Sequence, residues 1–114
     1  MNKEEILKLT ALWYEYVGMD HHKDCDCNWY IVEVWSYGDL PRYRVEHNGY
    51  IFESKNYKYY KKRDAVEKAF ITEIKKAFKK ELKWAKEVFK SSQEYDQIQF
   101  ERAAWLINNK EMFV

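Results

Sequence analysis

At 114 residues, 46% of them hydrophobic and 18% aromatic, the chain can bury roughly two-thirds of its unfolded surface. Intrinsic disorder is therefore excluded. Twenty Lys/Arg against nineteen Asp/Glu give a net charge of +1, so a uniformly basic or acidic chain is excluded too. No run approaches the roughly 18 consecutive apolar residues of a membrane helix. The charged start, Met1-Asn2-Lys3-Glu4-Glu5, does not read as a signal peptide. Cys25 and Cys27, with only Asp26 between them, make no disulfide framework. A single soluble α+β domain spanning 1–114, cytoplasmic and not membrane-bound, is the expectation.

In chain order, the first element expected is a helix from about Lys3 to Val17. Asn2 and Glu5 stand at capping-box spacing, Ile6, Leu9, Trp13, Tyr16 and Val17 recur on one face, and Gly18 suits the stop. Trp29 to Trp35 reads as a strand with apolar residues on both faces. Arg42–His47 and Tyr50–Ser54 flank Asn48-Gly49, a strong hairpin signal. A two-residue turn there pairs Val45 with Phe52 and Arg44 with Glu53, segregating apolar from charged faces. The three strands together predict an antiparallel meander.

Asp64 and Glu67 again have capping-box spacing and open a long helix reaching about Lys90. Its apolar stripe is Val66, Phe70, Ile74, Ala77, Phe78, Leu82, Ala85, Val88 and Phe89. At about 1.5 Å per residue this helix spans ~40 Å, more than the meander covers, so its far end needs the last helix or a second subunit. Ser91 with Glu94 caps a final helix from about Ser92 to Asn109, apolar on more than one side. The expected order is α-β-β-β-α-α.

The overall charge hides a division. Residues 1–54 carry a net −5, residues 55–90 a net +8 and residues 91–114 a net −2. Lys68, Lys75, Lys79, Lys83, Lys86 and Lys90 fall within about 80° of one another at 100° per residue, a cationic ridge ~33 Å long opposite the apolar stripe. Before it, Lys58, Lys61, Lys62 and Arg63 interleave with Tyr57, Tyr59 and Tyr60. Lysines following a phosphate backbone and tyrosines stacking on bases make a nucleic-acid-binding surface. The bland alternative is an ordinary solvated helix face. Arginine, the better reader of base edges, is scarce here, so such binding would be weakly sequence-specific.

Two imidazoles and two thiols, His21, His22, Cys25 and Cys27, are ligand types that zinc prefers, with His47 as a further candidate. Their H-H-x-x-C-x-C spacing is not that of common zinc modules, and a polar loop with reduced cysteines is the preferred reading. No cofactor is expected. Neither a glycine-rich phosphate loop nor G-x-S-x-G nor H-E-x-x-H occurs, and Asp24 and Asp26 would raise the neighbouring thiol pKa. The chain is read as non-catalytic. Five Trp and ten Tyr exceed what a small core readily hides; Trp84, Trp105 and Phe100 are the candidates for contact with a protein partner.

The order α-β-β-β-α with Lys61-Lys62-Arg63-Asp64-Ala65 at a helix start resembles the double-stranded-RNA-binding domain over roughly residues 3–85. That resemblance implies RNA binding through the basic helix start, although the helix is longer than the family's and its Gly-Pro-x-His loop has no counterpart. A three-strand meander opened by Trp29-Tyr30 and leading into the helix also resembles integrase arm-binding domains. In style, short and rich in Lys and Tyr with three Gly and one Pro, the chain is similar to small accessory proteins of phages and mobile elements. The leading expectation is a binding protein that occupies a protein partner's surface, with self-association through the two C-terminal helices as one form. Nucleic-acid binding through the lysine ridge is the alternative.

Overall fold

The computed structural model describes residues 2–19, 29–35, 41–47, 58–90 and 95–114. They form helix α1 (Asn2–Gly18), strands β1 (Trp29–Val34) and β2 (Arg42–His47), helix α2 (Arg63–Lys90), helix α3 (Gln97–Asn108) and a 3₁₀ turn, Lys110–Met112. No helix among these is long and apolar enough to cross a membrane.

The expected stripe of α1 is its buried face: Leu9, Trp13, Tyr16 and Val17 are buried and Ile6 packs beside them. The same holds on α2, where Val66, Phe70, Ile74, Phe78, Leu82, Ala85 and Val88 are buried. Phe89, assigned to that stripe from its spacing, is instead 51% exposed. Three contacts set α1 and α2 side by side and running the same way. Asn2 donates to Asp64 at 3.0 Å, Lys75 meets Glu5 at 2.9 Å, and the Tyr16 hydroxyl donates to Glu81 at 3.0 Å.

These contacts also correct both expected capping boxes. Asn2 and Asp64 lie inside their helices and spend their side chains on each other. Asp64 additionally pairs with Lys68 at 3.2 Å, and Glu67 turns to Arg63 at 3.9 Å.

The three-stranded meander is corrected to a two-stranded antiparallel sheet, β1 with β2, registered Trp29 to His47 and Ile31 to Val45. The third strand expected at Tyr50–Ser54, its Asn48-Gly49 turn and Glu53 lie outside the described residues. A two-residue turn would set Ser54 opposite Tyr43. Tyr60 occupies that place instead, exchanging two 2.8 Å backbone hydrogen bonds with Tyr43 as an isolated bridge. Those backbone groups of β2 are thus satisfied by a single residue just ahead of α2. Arg44 finds its carboxylate on its own strand, at Glu46, 2.6 Å away. The element order therefore departs from the α-β-β-β-α of double-stranded-RNA-binding domains. One sheet face carries Trp29, Ile31 and Val45 into the core.

The far half of α2, which outruns the sheet, is covered by α3 packed antiparallel to it. Trp84 meets Tyr95, Phe89 meets Phe100 and Phe78 stacks on Phe113 at 4.3 Å. Helix α3 starts at Gln97, later than Ser92, because the capping box is Asp96 with Gln99. Asp96 accepts from the Gln99 amide at 2.8 Å while Gln99 accepts from the Asp96 amide at 2.9 Å. Ser91 and Glu94 lie outside the described residues.

Candidate nucleic-acid interface

The core-facing stripe of α2 forces its lysines to the opposite side, and the structure divides them into two groups. Lys68, itself exposed, pairs with Asp64 at 3.2 Å, and the half-buried Lys75 pairs with Glu5 at 2.9 Å. Lys76, Lys79, Lys80, Lys83, Lys86 and Lys90 are exposed. Among the described residues no carboxylate stands within 4.0 Å of any of these six ammonium groups. The acids of α2 are mostly used elsewhere: Asp64, Glu67 and Glu81 are engaged by Lys68, Arg63 and Tyr16 respectively. What remains is a cationic face about 21 Å long from Lys76 to Lys90. Glu87, exposed within the same arc, offsets part of this charge; the excess attracts a polyanion and is screened by salt.

The second basic group stands at the start of α2. Lys58, Lys61, Lys62 and Arg63 are all exposed. Lys58 lies over the Tyr60 ring at 5.4 Å and Arg63 over Tyr43 at 5.7 Å. Tyr59, 49% exposed, accepts a hydrogen bond from Arg44 at 3.2 Å. Burial opposes the Arg44 charge, yet hydrogen bonding to Tyr59 and to Glu46 leaves its pKa raised. The tyrosines here brace the cations of their own chain. About 20 Å of helix separates Arg63 from Lys76, so the two basic groups are distinct along α2.

On one flank of the lysine face lies a cavity of about 650 Å³, and sequence reasoning missed it. Trp13, Tyr16 and Val17 of α1, His47 of β2 and Ala77, Lys80, Glu81, Lys83, Trp84 and Glu87 of α2 line it. Spacings of three and four residues along α2 bring these side chains to one flank. His47, weighed as a metal ligand, stacks on Trp29 at 4.1 Å and meets Trp13 edge-on at 5.3 Å. Burial, and then the nearby Glu81 carboxylate, raise the Tyr16 hydroxyl well above its ordinary pKa of 10.0. The buried Arg102 of α3 lies 4.6 Å over the Tyr16 ring and 5.6 Å over Trp84. A single arginine between apolar positions of α3 was the available signal for this contact.

The three aromatic partner candidates are largely engaged inside the molecule. Trp84 is half-buried beneath Arg102. Trp105 stacks on Tyr16 at 5.6 Å and donates to Glu15 at 3.2 Å. Phe100 packs between Tyr95 and Phe89. His21, His22, Cys25 and Cys27 lie outside the described residues; among the described residues no group of three or more His, Cys, Asp or Glu could hold a metal. Comparison of the chain with protein-family models, with curated proteins and with solved structures finds no match in any of the three.

Proposed function

We propose that the protein is a non-catalytic binding protein whose α2 lysine face engages an extended polyanion, a strand of nucleic acid. The observation that supports this reading is the set of six exposed lysines, Lys76 to Lys90, which outnumber the exposed Glu73 and Glu87 beside them and have no carboxylate within 4.0 Å among the described residues. A solvated face needs no such excess of one charge, because a carboxylate for each lysine would stabilise the helix better. Lysine without arginine suits phosphate contact more than base-edge readout, so recognition follows the backbone. The test is salt-dependent binding of labelled oligonucleotides by the wild-type chain and a Lys79/Lys83 double variant. No binding at low salt, or binding indifferent to salt and to both lysines, would refute the reading.

A second reading, occupation of a protein partner's surface, is favoured by Trp35 and Tyr30, 65% and 42% exposed at the sheet. Exposed aromatics of this kind anchor interfaces. A Trp35→Ala variant that still recovers the same crosslinked partner at the same yield would count against it.

A further inference from the structure

We propose that the nucleic acid is single-stranded and that one of its bases enters the cavity beside Trp84. This rests on the polyanion reading of α2 and names the form of the ligand. Lys80 and Lys83 belong at once to the exposed lysine face and to the cavity lining. A strand tracking the lysines therefore passes the cavity mouth.

The lining decides which part of the strand enters. Its two lysines are matched by two glutamates, Glu81 and Glu87, and its remaining residues are aromatic or apolar apart from His47. Such a lining holds no excess charge for a phosphate. It suits a flat, neutral group with N–H donors, which a base is and a sugar-phosphate is not. The half-buried Trp84 offers ring surface, and the Glu81 carboxylate, which accepts from Tyr16, has further lone pairs for a donor. About 650 Å³ lies within the ordinary range of sites for small molecules and flipped bases. The lysines beyond the cavity, Lys76, Lys79, Lys86 and Lys90, have no carboxylate within 4.0 Å among the described residues and hold the phosphates outside. A duplex holds its bases stacked and paired, so only a single strand presents a base without first breaking pairs.

Fluorescence anisotropy with three labelled probes of equal length tests this: a single-stranded DNA of mixed sequence, its duplex, and an abasic strand with the same phosphates. The wild-type chain is expected to bind the normal strand about tenfold or more tightly than the abasic one, the effect of one stacked base. Ala77→Phe, which fills the cavity and leaves every lysine in place, should bring the normal strand down to the abasic level without weakening the abasic strand. Equal wild-type affinity for normal and abasic strands overturns the inference, and needs no variant to fold. An Ala77→Phe chain that is folded by circular dichroism and still prefers the normal strand overturns it as well. In both cases salt-dependent binding to the abasic strand leaves the polyanion reading standing. Absence of binding to all three probes at low salt removes that reading and the inference with it.

Discussion

Replacing Lys79 and Lys83 by glutamine removes two charges from the middle of the α2 face and perturbs no ion pair among the described residues. Along the helix Lys79, Lys83, Lys86 and Lys90 follow at rises of about 6, 4.5 and 6 Å, so an extended strand can meet all four. Four neutralised phosphates on a single strand give a slope of log K against log salt of about −3, and raising salt from 50 to 200 mM then costs ~50-fold in affinity. The double variant leaves two contacts, a slope of about −1.4 and only ~7-fold loss over the same interval. Lys68→Gln is the control, since that lysine stands about 12 Å along α2 before Lys76, pairs with Asp64 and should leave the slope unchanged. Anisotropy titrations at five salt concentrations read these slopes directly. A double variant with the wild-type slope, or a Lys68→Gln chain that loses as much as the double variant, refutes the placement of the strand on this face.

Phe78, fully buried, joins α1 through Trp13 at 5.0 Å and the C-terminal segment through Phe113 at 4.3 Å. Phe78→Ala should lower stability by about 3–5 kcal/mol, read as a shift in urea midpoint at constant slope. Because the folded chain raises the Tyr16 pKa above 10.0, the neutral hydroxyl's contribution is complete below that value and declines as pH rises beyond it. Chemical denaturation between pH 9 and 12 should therefore show stability falling from about pH 10, and Tyr16→Phe should flatten that limb. Asp96→Ala removes the cap of α3 and should cost about 1 kcal/mol, with faster amide exchange at Gln99.

The helices and their buried faces were legible in the sequence because they follow from spacing within one segment. Leu9, Trp13, Tyr16 and Val17 share a face of α1 wherever that helix docks, and Phe70, Ile74 and Phe78 share one on α2. The segregation of lysine from the apolar stripe is equally local. Everything that depends on a neighbour far along the chain required the tertiary structure. Lys75 looks like part of the ridge until Glu5, 70 residues earlier, is found beside it. The third strand was inferred from a turn signal, yet the backbone groups of Tyr43 are satisfied by Tyr60. Ser91 and Asp96 both offer a cap at similar spacing, and the folded chain uses Asp96. The cavity beside Trp84 is drawn from α1, β2 and α2 at once. Local periodicity is written in neighbouring residues, whereas hydrogen bonds and ion pairs are awarded by competition among groups that only folding brings together.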